Sequence, residues 1–283
     1  VTQTVTDAPA QLAALRDRLR QRRRLLVAFS GGVDSALVAV VAAQVLGSAS
    51  VAVTAVSASL PGAERAAARR FAADHGLAHV EVCTDELDRP EYRANDGDRC
   101  FHCKSALLDA LQPLAEQSGA LIALGTNLDD LGDHRPGQRA AAARGAIAPL
   151  VEAGLGKDAV RAVSALLGLD TSVKPAAACL SSRVAYGDPV TREVLSRIER
   201  AEAALHALGF PVCRVRAHAR GTVARVELPT EELVRASEVG TRIDAAVRAA
   251  GFQFCAMDLQ GFRSGRMNVL LGLPELGTPV AGS

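Results

Sequence analysis

Residues 25–35, LLVAFSGGVDS, constrain the fold more than any other stretch of the chain. The continuous apolar run LLVAFS (25–30) has the composition of a strand buried on both faces, as in a parallel sheet. It ends at Gly31-Gly32, and a helix is expected over 34–46. Strand, glycine turn and helix in that order open a βαβ unit. The pattern then repeats. VAVTAVSASL (51–60) reads as a second strand, 62–75 as an Ala-rich helix and HVEVCT (79–84) as a third strand. KSALLDALQPLAEQ (104–117) reads as a helix and LIALGT (121–126) as a fourth strand. Strands alternating with helices at this spacing predict a doubly wound, mostly parallel α/β sheet, with ligands at the carboxyl ends of its strands. Ahead of the series, 11–24 place Leu12, Leu15 and Leu19 on one helical face, with arginines on the solvated remainder.

The alternation fades after about residue 150. KDAVRAVSALLG (157–168) and REVLSRIERAEAALHALG (192–209) have the period of amphipathic helices. VCRVRAH (212–218) and TVARVEL (222–228) alternate in polarity around Ala219-Arg220-Gly221, which predicts an antiparallel pair. Pro229, Thr230 and Glu232 open a further helix, and FQFCAMDL (252–259) reads as another strand. An α/β domain over 1–175 and a smaller α+β domain over 176–283 are expected.

Composition narrows the function classes. Thirty-two basic and 31 acidic residues leave a formal charge of +1, which argues against bulk attraction to nucleic acid or an anionic membrane. With no Trp, two Tyr and seven Phe, no aromatic base-stacking platform is expected. Six cysteines in 283 residues fall below the density of a disulfide scaffold, so reduced thiols or a metal site fit better. The longest apolar stretches are short and interrupted, and the opening VTQTVTDAPA lacks the basic and apolar regions of a signal peptide. A cytoplasmic protein with neither membrane nor nucleic-acid partner is expected.

Ser30-Gly31-Gly32-Val33-Asp34-Ser35 is the feature with the clearest chemistry. Its glycines let backbone N–H groups approach an anion, and the following helix N-terminus adds partial positive charge. Ser30 and Ser35 offer hydroxyl donors, and Asp34 either orients the loop or binds magnesium through water. The Lys-Ser/Thr pair that touches the β/γ-phosphates in a Walker loop is absent, which points away from γ-phosphoryl transfer. A plain glycine turn would explain a looser pattern than SGGVDS behind a buried first strand.

Cys179 stands near Lys174, Ser181, Ser182 and Arg183, the positive charge and donors that sustain a thiolate. Alone it would read as a structural cysteine. Arg99-Cys100-Phe101-His102-Cys103-Lys104 adds a C-x-x-C, a spacing shared by redox and metal sites, which cannot complete a four-sulfur set. With Cys179 the count is three. Iron–sulfur ligation and a structural zinc with His102 as fourth ligand are both compatible with these soft donors. Cys83, Cys213 and Cys255 sit in predicted strands and are expected to fill the core. Arg214 and Arg216, two apart on a strand, share a face and suit a phosphate or carboxylate, although exposed arginine pairs are common.

SGGVDS resembles the pyrophosphate loop of the PP-loop ATPases, which cleave ATP between its α- and β-phosphates and transfer AMP to a substrate oxygen. Further motifs follow in order: GTNLDD (125–130) with Asp133, Arg135, Pro136 and Gly137; Lys157, Asp158 and Arg161; and KPAAACLSSRVAYG (174–187). Arg214, Arg216, His218, Arg225, Glu227 and GFRSGRMN (261–268) complete a set similar to the LarE family of ATP-dependent sulfur transferases, over nearly the whole chain.

The resemblance implies a PP-loop/HUP-like adenylation domain over 1–175 and a sulfur-transfer domain over 176–283. ATP and Mg2+ would be held by Ser30, Gly31, Gly32, Val33, Asp34 and Ser35, with Thr54, Ser59, Gly125, Thr126, Asn127 and Asp130 bordering the adenosine. Lys104 would offset charge on the adenylate, and Arg214, Arg216 and Arg263 would contact AMP or substrate phosphate. Cys179, aided by Arg183, would deliver sulfur to an adenylated carboxylate of pyridinium-3,5-biscarboxylic acid mononucleotide. The sulfur would come from Cys179 itself or from a [4Fe-4S] cluster on Cys100, Cys103 and Cys179. The product would serve nickel-pincer nucleotide cofactor assembly with other maturation proteins, from a dimer-based homo-oligomer of up to six chains. A PP-loop tRNA thiolase is the alternative enzyme. An amide-forming synthetase leaves Cys179 without a role, and a non-enzymatic nucleotide sensor would release no pyrophosphate.

Overall fold

The computed structural model describes residues 7–131, 144–175 and 178–262. In chain order its elements begin with α1 (Ala8–Arg20), β1 (Leu25–Ala28), α2 (Val33–Leu46), β2 (Ser50–Val56), α3 (Gly62–Asp74) and β3 (His79–Cys83). Then come α4 (Pro90–Ala94), α5 (Arg99–Ser118), β4 (Leu121–Ala123), α6 (Pro149–Glu152), α7 (Lys157–Leu166) and α8 (Arg192–Ala207). The last are β5 (Arg214–His218), β6 (Val223–Glu227), α9 (Leu233–Glu238), α10 (Gly240–Ala249) and β7 (Phe254–Met257). The chain divides into two compact units. One takes the described residues up to Glu86 and between Cys100 and Ala177; the other takes Leu87–Arg99 and those from Ala178 onward.

The first unit is an α/β fold around a parallel sheet of order β3-β2-β1-β4. Successive residues of β1 point to opposite faces. Leu25 and Val27 pack with Leu15, Leu19, Leu37, Val41 and Val160, whereas Leu26 packs with Leu108, Leu111 and Ile122 of α5 and β4. A strand buried on both sides needs an unbroken apolar run, which is what LLVA supplies. Nearly every residue of α2 from Val33 to Ala42 is buried, so this helix belongs to the core rather than to the surface. β1 lies between β2 and β4, and the strand order reverses there. Loops leaving the carboxyl ends of β1 and β4 therefore flank the crevice in which such sheets bind ligands.

Several boundaries differ from expectation. β2 stops at Val56, and Ser57 takes the next turn by accepting from the Ser59 N–H (3.1 Å). α5 starts at Arg99 rather than 104, which places Cys100 and Cys103 on its first turns. Cys83 is exposed on edge strand β3 and is not a core filler; only Cys213 is fully buried, and Cys255 is half-buried. Burial pushes the Cys213 thiol up to about 12 and that of Cys255 to about 11, so both are inert. On the same edge Arg65 and Arg69 both bind Glu81 and hold its carboxyl at about 2.

The second unit carries a sheet of order β5-β6-β7 with β5 and β6 antiparallel, as the alternating runs predict, and β7 parallel to β6. The β5–β6 turn places Ala219, Arg220 and Gly221 at φ 52°, 56° and 80°. Only glycine takes that conformation freely, so Ala219 and Arg220 cost about 1 kcal/mol each. α8, capped by the Thr191 hydroxyl, buries Val194, Leu195, Ile198, Ala201 and Leu205 along one side. Among the described residues, no helix is long and apolar enough to cross a membrane.

Candidate active site

The loops that follow β1 and β4 meet at the crevice. Gly125 approaches the start of α2 so closely that a Cβ there would lie 2.8 Å from the Ser35 nitrogen and 3.0 Å from its Cα. Only glycine permits that contact. Gly31 takes a φ of 73°, and Gly32 caps α2 without any side-chain hydrogen bond. The first-turn N–H groups of a 14-residue helix are thus left for an anion. Ser35 holds the loop from inside: its hydroxyl accepts from the Ser30 N–H (3.2 Å) and donates to the Gly32 carbonyl (3.1 Å).

Asp34 sits at the loop with both oxygens engaged. One accepts from the Asn127 amide (3.0 Å), the other from the Lys157 ammonium (2.6 Å). Asn127 is buried, and its side-chain oxygen accepts from the Asp129 and Asp130 N–H groups, while Asp130 accepts from the Asn127 N–H (3.1 Å). Asp129 in turn accepts from the Lys157 N–H at the start of α7. GTNLDD is therefore a knitted turn that delivers Asn127 and Lys157 to Asp34, with Thr126 half-buried beside Gly125.

Lys174 reaches the other side of the loop. Its ammonium donates to the Gly31 carbonyl (3.0 Å) and to Glu64 of α3 (2.7 Å), and Arg161 steadies its backbone through the Ser172 and Lys174 carbonyls. A loop with no lysine of its own thus receives two cations, from 123 and 143 positions further along the chain. Spacing alone gave no sign that Lys157, Lys174 and Glu64 would converge there; only their place among the LarE-like motifs marked the two lysines. Thr54 is buried, donates its proton to the Phe29 carbonyl (2.8 Å) and lies 2.8 Å from His79 Nε2, so it ties β1 to β2. Ser59 is buried near the end of β2, and Lys104 is half-buried on α5.

In the second unit Cys179 is exposed at the head of a 3-10 turn, Leu180–Arg183. Arg183 is buried, pairs with Glu202 (3.0 Å) and donates to the Cys179 carbonyl (2.8 Å) and the Ala178 carbonyl. The Ser182 hydroxyl donates to the same Cys179 carbonyl (2.7 Å). These groups grip the main chain and leave the thiol outward. Arg216 is buried against Glu227 (3.0 Å) and donates to the Ser182 carbonyl (2.9 Å). Arg225 joins Glu227 (3.1 Å), Asp258 and His218 (3.2 Å).

Arg214 differs from its neighbours. No carboxylate among the described residues pairs with it; it donates to the Cys213 carbonyl (2.9 Å) and stacks 5.1 Å from the Phe262 ring. Burial, then the nearby Arg183 charge, pulls its pKa down. A half-buried cation in this state has an unmet demand for an anion. Arg263, Asp133, Arg135, Pro136 and Gly137 lie outside the described residues.

None of the six cysteines forms a disulfide. Cys100 and Cys103 belong to the first unit and Cys179 to the second. Among the described residues, no three His, Cys, Asp or Glu side chains gather as a metal site.

Residues 11–92 match the family described as asparagine synthase, which shares the PP-loop fold. An uncharacterized protein of Synechocystis sp. is 44% identical over 266 residues, covering 93% of this chain and 98% of its own length. Pyridinium-3,5-bisthiocarboxylic acid mononucleotide synthase of Lactiplantibacillus plantarum is 36% identical over 268 residues, 94% of this chain and 96% of its own. An uncharacterized protein of Methanocaldococcus jannaschii is 22% identical over 258 residues, 90% of this chain and 98% of its own. The parallel sheet, the glycine loop at its switch point and this end-to-end identity agree: the chain belongs to the LarE family of PP-loop proteins.

Proposed function

We propose that this chain adenylates a carboxylate of pyridinium-3,5-biscarboxylic acid mononucleotide and replaces the activated oxygen with sulfur, for nickel-pincer nucleotide cofactor assembly. As a LarE-family member it is an ATP-using, adenylating sulfur transferase. The relative from L. plantarum is named for the bisthiocarboxylic acid mononucleotide, which is the substrate choice extended here.

The observation that supports adenylation is the uncapped start of α2 with Asp34, Lys157 and Lys174 around it. Loop amides from Gly31 to Ser35 would bind the pyrophosphate, and the two lysines would balance the charge that accumulates on it as it leaves. Magnesium is held by one or two carboxylates plus phosphate, and Asp34 fits that role. Thr126, Asn127 and Asp130 would shape the adenosine side, with Thr54 of β2 and Ser59 of the turn after it supporting that side and Lys104 facing the adenylate. A carboxylate oxygen attacks the α-phosphorus, the bond to the bridging oxygen breaks, and pyrophosphate departs. A sulfur nucleophile then attacks the acyl carbon, and AMP leaves.

Arg214, with no carboxylate partner among the described residues, would take the phosphate of the mononucleotide or AMP, and Arg216 and Arg263 would contribute to the same contact. Cys179 would bring the sulfur. Cys100 and Cys103, three apart on α5, share a helix face, and together with Cys179 they would supply three soft thiolates of the kind that hold a [4Fe-4S] cluster. Bound there, such a cluster would supply the sulfide for transfer and spare Cys179. Six cysteines outside any disulfide fit a cytoplasmic setting, where a homo-oligomer would work with the other cofactor-maturation proteins.

Anaerobically prepared protein, incubated with ATP, Mg2+ and the biscarboxylate mononucleotide, should release AMP and pyrophosphate and yield a thiocarboxylate by mass spectrometry. About four irons per chain and an unchanged Cys179 mass are expected. Conversion of Cys179 to dehydroalanine in iron-loaded, active protein would overturn the cluster as sulfur source. Thiolation of tRNA in place of the mononucleotide would overturn the substrate and favour the thiolase reading.

A further inference from the structure

Residues 87–98 precede the C-x-x-C run that Arg99 opens and carry no motif of their own, yet the structure assigns 87–99 to the unit of Cys179 and wraps them in hydrogen bonds to the turn that follows it. Tyr92 is 1% exposed, and its hydroxyl lies 2.6 Å from the buried Ser181 hydroxyl. Asn95 is fully buried at a φ of 62°. Its amide nitrogen donates to the Ala185 carbonyl (2.7 Å) and the Asp188 carbonyl (2.9 Å), and its oxygen accepts from Arg99. Arg99, 5% exposed, donates to the Ser181 carbonyl (2.9 Å) and lies 5.5 Å from the Tyr186 ring. The main chain adds Val190 N–H to the Arg93 carbonyl (2.9 Å).

Plain packing would not need this chemistry. A buried guanidinium is costly, and no carboxylate among the described residues pairs with Arg99; it is spent on an amide oxygen and a carbonyl. Asn95 also accepts a left-handed backbone to aim its amide. A buried polar network with its members satisfied selects one arrangement of the segment it touches. Here that segment is 181–188, directly after Cys179. Arg99 is also the first residue of α5, the helix that carries Cys100 and Cys103.

We propose that Tyr92, Asn95 and Arg99 are positioning residues that fix the Cys179 turn for sulfur transfer. The inference rests on the reading of Cys179 as the sulfur-delivering residue. Tyr92→Phe removes one oxygen and keeps the ring, and Ser181→Ala removes its partner. Either change should lower the kcat of thiocarboxylate formation about five- to tenfold, with KM for ATP and the rate of AMP formation unchanged. The double variant should lose no more than either single one, because a shared hydrogen bond is lost only once. Amide exchange followed by mass spectrometry should quicken in peptides covering 180–188 of each variant and stay constant over 25–46. Arg99→Gln should quicken the same peptides.

Additive losses, or equal losses in AMP formation and sulfur transfer, would make the network merely structural. Unchanged exchange over 180–188 in Tyr92→Phe and Arg99→Gln would overturn the cradle outright. If the parent protein forms AMP but no thiocarboxylate, the functional reading of Cys179 fails, while the exchange result still decides whether the cradle holds its turn.

Discussion

The anion loop and the Cys179 turn are built on opposite plans. SGGVDS is six consecutive residues whose shape follows from two glycines and a helix start, and distant residues add two cations, Lys157 and Lys174, and the Asn127 amide. The Cys179 turn has local bonds from Ser182 and Arg183 to the Cys179 carbonyl, but most of its partners come from elsewhere in the chain. It is held by Tyr92, Asn95 and Arg99 from one stretch, Glu202 from α8 and Arg216 from β5. A site made of backbone amides can be encoded locally, whereas a site that presents one thiol must be positioned from afar. The first should tolerate loss of a distant partner with graded effect, and the second should separate cleanly from ATP chemistry.

The largest expected effect tests that separation. Cys179→Ala should abolish thiocarboxylate formation and leave AMP release near the parent rate, because adenylation precedes sulfur attack. Thiolation at the parent rate would return Cys179 to a structural role. Next is Gly125→Ala, whose methyl would overlap the Ser35 backbone, and AMP formation should fall about a hundredfold. Lys174→Met should cost about tenfold in the same assay, with Lys174→Arg restoring part of it. If Lys174→Met matched Gly125→Ala, the loop would depend on its distant cation as heavily as on its own glycines.

The smallest effect is on stability. Burial first, with a nearby arginine adding to it, lowers the pKa of His79 in the first unit and of His218 in the second. A depressed folded pKa means the unfolded chain binds more protons, so stability is full above about pH 6.5 and declines as pH falls toward the folded values. His79→Gln and His218→Gln should each flatten the fall in melting temperature below pH 6.5, and a drop unchanged in both variants would exclude these histidines as its cause.

The difference in plan explains what the sequence made legible. Apolar LLVA, the glycines and the alternation of 212–228 act through near neighbours, so the parallel sheet, the loop and the β5–β6 hairpin could be read directly. Cys83 looked like a core residue because VEVC alternates, but its exposure depends on β3 being an edge strand, a fact of sheet order. The Thr54 hydroxyl is bonded to the Phe29 carbonyl, and no local pattern reveals such a partner. The cradle over 87–99 escaped notice because Tyr92, Asn95 and Arg99 gain meaning only through a hydroxyl and carbonyls some 80 to 90 positions away.

The most direct test of a pyrophosphate-releasing loop is the identity of the nucleotide products. Phosphorus NMR of the parent protein turning over ATP with the biscarboxylate mononucleotide should show AMP and pyrophosphate in equal amounts, and Asp34→Ala should suppress both while the fold, read by circular dichroism, persists. ADP and orthophosphate as products would contradict it, since they would mean that the loop cleaves at the γ-phosphate without the Walker lysine.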